Sequence, residues 1–337
     1  MQRMPVRSPS ESTAQVLAAV HGFVQRCATT QQQRQLFETA LLGLAHWAEN
    51  PGWTFFIHLP LLVYGAIRGD DRPAMPLATA LTVLYVGMDI LDDLADGDMA
   101  DHWRDYRPAE INLAAVTFLA GLTHLAMLEI DAPPERLVAL QRTLAQVGVR
   151  MSAGQQCDLA QAGAVDVTAA EATVAAAGKT GEQCVLFARL GAELAGASPA
   201  LVATYAEMAH AYGMALQLVE DCANLFHGPR SRDLASGIRT YPIARYLERL
   251  AGQERGYFLD LLDQARIDLS AQEQVRRELK AAGILRACAL ITEIHCQRAR
   301  RALDAAAPLE PAGSGLRAMI DAKSWFTSQD KEERHEP

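Results

Sequence analysis

Apolar residues recur along this chain at three- and four-residue spacing, Ala and Leu dominate them, and alternating runs of β-branched residues are almost absent. That is the pattern of an all-α protein. Breakers interrupt it at Pro51-Gly52, Gly69 to Asp71, Asp131 to Pro134, Gly163 to Asp166, Gly196 to Pro199, His227 to Ser231, Gly252, Ala281 to Gly283 and Pro308 to Gly315, predicting about ten helices. No gap is a long Pro/Gly/Ser linker, so one domain over residues 13–327 is expected, between polar, mobile ends at 1–12 and 328–337. The run from Ala74 to Met88 is apolar on every side, which marks an interior helix rather than a surface one. The uncharged windows 51–67 and 73–88 fall short of the roughly 20 residues that cross a bilayer, so no transmembrane segment is expected.

Composition narrows the function. Half of the 337 residues are hydrophobic, and 31 basic against 40 acidic residues leave a net charge of −9 without a dense basic block. Disorder, nucleic-acid binding and anionic-membrane binding are thereby disfavoured, and the expected partner is small or reached through a metal ion. Cys27, Cys157, Cys184, Cys222, Cys288 and Cys296 include no C-x-x-C pair, which suits reduced thiols in a cytoplasmic protein. The N-terminus carries no signal-peptide pattern. His46 and His58 lie among apolar residues and read as core histidines.

The chemistry concentrates where the apolar run ends. Six aspartates occur between Asp89 and Asp101 with no Lys or Arg among them. On a helix Asp89, Asp92, Asp93 and Asp96 share a face, and their mutual repulsion calls for a cation. A solvated acidic helix end is the plainer alternative, but an interior helix should open its acidic end into a cleft. Hard oxygen donors without thiolate or imidazole partners point to Mg²⁺, which uses one or two carboxylates plus substrate phosphates. A weaker second constellation places Gln217, Glu220 and Asn224 at i, i+3 and i+7, with Asp221 beside them. Arg230, Arg232 and Arg239 follow, as suits a polyanion such as diphosphate. Lys179 is the sole lysine before Lys280. Alone it reads equally as a snorkelling surface residue; beside two acidic sites it reads as a further phosphate cation.

The ordered set Asp92-Asp93-x-x-Asp96, Gly154-Gln155-x-x-Asp158, Lys179-Thr180, Gln217-x-x-Glu220-Asp221-x-x-Asn224 and Asp233-Leu234-x-x-Gly237-x-x-Thr240-Tyr241-Pro242 resembles the trans-isoprenyl diphosphate synthases, the polyprenyl synthetase family, over about residues 35–320. The resemblance implies the class I isoprenoid synthase fold, an all-α bundle around a central cavity with two acidic helices facing each other. It implies three Mg²⁺ ions bridging those motifs to the diphosphate of an allylic prenyl substrate, with Asp92, Asp93 and Asp96 and, on the second motif, Glu220, Asp221 and Asn224 as the metal set. Lys179, Gln217, Arg230, Arg232 and Arg239 are then the diphosphate set, and the family's usual state is a homodimer. Trp53, Phe55, Phe56, Tyr85, Met88, Gln155 and Asp158 are expected along the cavity.

Departures from the family pattern shape the functional expectation. The Gly-Lys-Arg motif that serves isopentenyl diphosphate in chain-elongating members corresponds to Gly52-Trp53-Thr54, the paired arginines to Ala100-Asp101, and the lysine after Gly237 to Ile238. Charge-assisted contacts contribute about 1.5–3 kcal/mol each, so these losses favour a terpene synthase or cyclase that ionises a 15- or 20-carbon allylic diphosphate without elongating it. The Asn, Ser and Glu signature of bacterial terpene synthases is only loosely met, since Gly228 stands at its last step. A prenyltransferase, elongating or acting on another acceptor, is the alternative, and a non-catalytic regulatory subunit of a prenyl synthase is the second. Met88 and Gly87 stand where large aromatics shorten the pocket in the family.

Overall fold

The computed structural model describes residues 9–44, 54–97 and 99–326, apart from the side chain of Asp96. His46, the break at Pro51-Gly52, Trp53, Asp98 and the expected tail at 328–337 lie outside the described residues. In chain order the helices are α1 (Pro9–Cys27), α2 (Gln31–Ala40), α3 (Phe55–Arg68), α4 (Met75–Asp96), α5 (Pro108–Thr117), α6 (Thr123–Leu128), α7 (Pro134–Gln161) and α8 (Ala169–Ala176). They continue as α9 (Glu182–Leu194), α10 (Pro199–Phe226), α11 (Arg232–Ser236), α12 (Tyr241–Leu247), α13 (Gly252–Gln264), α14 (Leu269–Ala281), α15 (Ile284–Ala306) and α16 (Ala312–Asp321). Two π turns, Phe118–Leu122 and Ala177–Gly181, join α5 to α6 and α8 to α9. Among the described residues there is no β-strand.

The count exceeds the expected ten because only Gly237 to Thr240 separates α11 from α12, and the π turns run on from one helix into the next without a break. Gly252 opens α13 rather than breaking a helix. Residues 9–12, expected in the polar N-terminal end, belong to α1, which buries Ser12 and Thr13.

The chain forms two compact units. The first comprises Met1–Gln146, Leu186–Ala206 and Ala306–Leu316. Its hub is α4, which packs against α1, α3, α5, α6 and the first π turn. Leu77, Leu81, Val83, Val86 and Ile90 are buried, and the hydroxyls of Thr79 and Thr82 donate to the carbonyls of Met75 and Ala78, so a helix apolar on all sides sits inside without orphaned polar atoms. Gly87 permits the contact with the π turn: a Cβ there would lie 2.8 Å from Leu119 Cγ and 3.0 Å from Phe118 Cβ. His58 on α3 bonds to Thr13 on α1, Nε2 to Oγ1 3.0 Å.

The stretches Arg72–Ala95 and Pro108–Leu128 are long and apolar enough to cross a membrane by length and composition. The expectation that no window reaches that length is corrected accordingly: the first stretch runs past Met88 into its acidic end, and the second lies outside the windows 51–67 and 73–88. The first stretch is 67% buried inside the protein and the second only 44%.

The second unit comprises Val147–Val185, Glu207–Ala305 and Arg317–Pro337. Its core gathers Leu225, Leu234, Ile243, Leu247, Phe258 and Leu262 around Val275, Leu279 and Cys288. Burial of side chains such as Phe258 and Leu262 contributes about 1.5–3 kcal/mol each. All six cysteines are free thiols.

Candidate functional site

In the second unit, two glycine contacts bring the polar residues of separate segments together. Gly154 on α7 meets Gly178 in the π turn so closely that a Cβ on Gly154 would lie 2.2 Å from the Gly178 carbonyl carbon. One helical turn beyond Gly154, the Asp158 carboxylate meets the Lys179 ammonium, Oδ2 to Nζ 3.4 Å. Gly213 on α10 repeats the arrangement: a Cβ there would lie 2.8 Å from the Thr180 carbonyl oxygen and 3.0 Å from Gly181 Cα. One turn beyond Gly213, Gln217 Oε1 accepts from the Thr180 hydroxyl. Residues four apart on a helix lie above one another, so each glycine sets the approach and each polar side chain takes up the contact. The Gly154 signal was legible in the motif; Gly213 was missed.

Gln217 then donates through Nε2 to Asp221 Oδ1 at 2.7 Å, completing a chain Thr180–Gln217–Asp221. Asp221 is only 5% exposed. Burial pushes its carboxyl up to about 7; the Gln217 hydrogen bond and Lys179 oppose the rise, and the charges of Asp158 and Glu220 add to it. Glu220 is likewise pushed up to about 7 by burial, against the pull of Lys323, Lys179 and Arg232. Asp233 reaches about 8 through burial and the neighbouring Asp221 charge. Three carboxyls that resist ionisation inside one cluster show that the surrounding side chains offset only part of the desolvation cost.

Other sequence candidates are placed differently. Asn224 Oδ1 accepts from Ser231 Oγ at 2.8 Å and from the Asp233 backbone N–H at 3.2 Å, so this amide fastens the turn before α11 and carries Asp233 into the cluster. Its ladder position matches the expected metal stack, but its oxygen is already shared by two donors. Arg239 corrects the phosphate assignment more strongly: it is 2% exposed, with Nε on the Ala164 carbonyl at 3.3 Å and Nη2 3.8 Å from Asp263. Arg232 is exposed and acts on Glu220 and Asp233, whereas Arg230 is exposed on the preceding turn. Gln155 is half-buried on α7, one residue after Gly154.

In the first unit, Asp89, Asp92 and Asp93 are half-buried on the last turns of α4. The helix closes at Gly97, φ 68°, whose N–H donates to the Asp93 carbonyl. Carboxylates at a helix C-terminus meet the negative end of its dipole, which adds to the need for a cation. Phe56 stacks on Tyr85 with centroids 4.0 Å apart, and Phe55 meets Tyr85 edge-on at 5.9 Å. Phe55 and Phe56 are buried, so these expected cavity residues pack as core, with Tyr85 and Met88 half-buried beside them. Gly87 is directed at the first π turn and is no measure of pocket depth.

Among the described residues no three His, Cys, Asp or Glu side chains converge on one metal position. The donor set nevertheless fits Mg²⁺: hard carboxylate oxygens in pairs, without thiolate or imidazole, match an ion that takes one or two carboxylates and completes its shell with water and phosphate. The raised pKa values of Glu220 and Asp221 mark carboxyls that a divalent charge would stabilise in the ionised form.

The sequence profile of the family described as polyprenyl synthetase matches residues 58–279. A (2E,6E)-farnesyl diphosphate synthase of Mycobacterium tuberculosis is 30% identical over 200 residues, 55% of this chain and 54% of that protein. A geranylgeranyl diphosphate synthase of the same organism is 26% identical over 242 residues, 68% of this chain and 66% of the relative. The chain spans about half the length of the first curated relatives it matches. Among solved structures, geranylgeranyl pyrophosphate synthase from Corynebacterium glutamicum, complexed with isoprenyl diphosphate and magnesium, superposes with a TM-score of 0.82 over 96% of this chain and 100% of that one, at 15% identity. The Pyrococcus horikoshii geranylgeranyl pyrophosphate synthetase gives 0.79 over 94% and 99%, at 19% identity. At such identities the likeness establishes the fold.

Proposed function

Because the chain belongs to the polyprenyl synthetase family, we propose that it is a Mg²⁺-dependent prenyltransferase that ionises an allylic prenyl diphosphate of 15 or 20 carbons and transfers the prenyl group to isopentenyl diphosphate or another acceptor. The sequence alone favours a cyclase; the similarity to prenyl diphosphate synthases moves the balance to transfer. The observation that carries the reading is the Thr180–Gln217–Asp221 chain beside the Lys179–Asp158 pair, which holds an ammonium and carboxylates in fixed relation within the second unit.

In this reading Lys179 and Arg232 bind phosphate oxygens and offset the charge gathering on the leaving group. Gln217 holds Asp221 in one orientation. The electron pair of the allylic C–O bond leaves with diphosphate, and an acceptor alkene bonds to the freed carbon and then loses a proton. Mg²⁺, for which Asp92 and Asp93 are the proposed ligands in the first unit and Glu220 and Asp221 in the second, would supply Lewis-acid charge that stabilises departing diphosphate.

A cyclase remains the second reading on one observation: Thr54, Ala100, Asp101 and Ile238 stand where an isopentenyl diphosphate site would carry cations. Incubation with Mg²⁺ and allylic diphosphates of 10, 15 and 20 carbons, with and without labelled isopentenyl diphosphate, tests both. Label in lengthened diphosphates supports transfer. Hydrocarbons or alcohols formed without it support the cyclase, and no consumption of any allylic substrate defeats both elongation and cyclisation.

The reading includes a homodimer formed through the stretch Pro108–Leu128. Leu113, Val116, Leu125 and Leu128 are exposed there, a run of apolar surface that a second copy would cover.

A further inference from the structure

The five-residue helix α11 is tied at its two ends to different parts of the polar cluster. At its start, Asn224 of α10 accepts from Ser231 Oγ at 2.8 Å and from the Asp233 N–H at 3.2 Å. Gln272 of α14 strengthens that anchor, its Oε1 accepting from the Ser231 N–H at 2.8 Å. At its end, Gly237 takes the left-handed conformation, φ 79°, and its carbonyl accepts from the Gly163 N–H at 2.9 Å. Arg239 extends the joint, donating through Nε to the Ala164 carbonyl at 3.3 Å with Nη2 3.8 Å from Asp263 of α13. Gly163 and Ala164 follow closely on α7, whose last turn carries Asp158. The strut therefore runs from the second acidic motif to the helix that bears the partner of Lys179.

Arg255 takes the next carbonyl, that of Val165, through Nη2 at 2.7 Å, and reaches the Leu247 carbonyl through Nη1 at 2.6 Å. Ala164 packs beside Val167, Ala244 and Tyr241. Of the two arginines on this turn, Arg239 is the buried one, 2% exposed. Burial holds its pKa below the ordinary guanidinium value, against the pull of the Asp263 charge, and its Nη1 has no hydrogen-bond partner among the described residues. A buried charge so incompletely satisfied contributes little net stability, and an apolar side chain of similar volume often serves as well. What the guanidinium supplies is direction: a rigid fork fixes the Ala164 backbone at a set place.

We propose that Arg239 is a positioning residue of the diphosphate site: by holding the Ala164 carbonyl it keeps the end of α7 in register with α11, and so keeps Asp158 where it pairs with Lys179. The ammonium stands 3.4 Å from Asp158, while the adjacent Thr180 is tied through Gln217 to Asp221. A shift at the end of α7 therefore moves the ammonium's partner relative to the carboxylates of α10. Outer contacts of this kind change ligand affinity by about 10- to 100-fold without touching the ligand. The inference rests on the proposed diphosphate chemistry of this cluster and gives Arg239 an indirect part in it.

The test is a thermal-unfolding titration of the full chain with inorganic pyrophosphate in the presence of Mg²⁺, for wild type, Arg239→Met, Arg239→Lys, Asp158→Ala, and Arg239→Met combined with Asp158→Ala. Arg239→Met raises the half-saturating pyrophosphate concentration about tenfold, while the ligand-free chain still melts cooperatively. Arg239→Lys keeps the charge but cannot span Ala164 and Asp263, so it recovers only part of the loss. In the Asp158→Ala background Arg239→Met adds little, because both changes act through one contact. The ionic-strength dependence of binding in Arg239→Met stays that of wild type, since no charge on the phosphate has been removed. A shallower dependence makes Arg239 a direct phosphate ligand and overturns the proposal. Unchanged affinity in Arg239→Met, or losses that simply add to those of Asp158→Ala, also overturn it and leave the diphosphate reading intact. Absence of any pyrophosphate response in wild type defeats that reading and this inference with it. If Arg239→Met fails to fold, Arg239→Lys decides: wild-type affinity there overturns the proposal.

Discussion

Lys179 and Asp158 stand 3.4 Å apart, Nζ to Oδ2, because Gly154 and Gly178 let two backbones approach to a distance that no side chain tolerates. The same step of four residues recurs between Gly213 and Gln217, whose side chain takes the Thr180 hydroxyl. Absent side chains thus set the geometry of the polar ones.

Alanine at Gly154 or Gly213 is therefore expected to destabilise by about 1–3 kcal/mol or more, as overpacking does, and to lower turnover because the polar pairs separate. Gly148, exposed in the interior of α7 with open space around it, is the control: Gly148→Ala should gain about 0.5–1 kcal/mol from helix propensity. Urea unfolding of the three variants checks this, and equal effects at all three positions would refute it.

Enlarging position 87 should unfold the protein rather than shorten its product. A Cβ at Gly87 already falls 2.8 Å from Leu119, so Gly87→Phe is expected to lose more stability than Met88→Phe, which starts from a half-buried side chain. Under the proposed function Met88→Phe shifts preference toward shorter allylic diphosphates. Melting temperatures and product chain lengths measured side by side decide it.

His58 makes the first unit sensitive to acid. Burial lowers its pKa to about 4 from an unperturbed value near 6.5, so the unfolded chain binds a proton that the folded chain refuses. Stability is full above pH 6.5 and declines as pH falls toward 4, by about 3 kcal/mol at most. His58→Gln removes the titration while retaining a partner for Thr13. Its unfolding free energy should fall less than that of wild type between pH 7 and pH 4.5, and parallel slopes would exclude His58 as the source.

Charging the exposed apolar stretch tests the proposed dimer. Leu113→Asp combined with Leu125→Asp is expected to yield monomers in analytical ultracentrifugation at concentrations where wild type is dimeric, because carboxylates cannot be desolvated at an apolar interface without a partner. A wild type that sediments as a monomer throughout removes this part of the reading.

Local pattern was sufficient for much of this protein. Helical period is a property of neighbouring residues, so the all-α class, the interior character of α4 and the acidic face at its end were legible in the order of side chains alone. So were the short motifs that hold Gly154 and Asp158, and Lys179 and Thr180, although their contact partners lie 21 to 37 residues away. Tertiary structure decided the rest. Asn224 occupies the expected helical face, yet its oxygen serves Ser231 and Asp233; Arg239 looks like a phosphate ligand but is buried beside Asp263 and the Ala164 carbonyl. Nor does Gly213 against Thr180 follow from periodicity. The reason is physical: periodicity names the face of a helix, whereas the partner on that face depends on which backbones pack closely enough to meet, a choice made by the shape of the whole core.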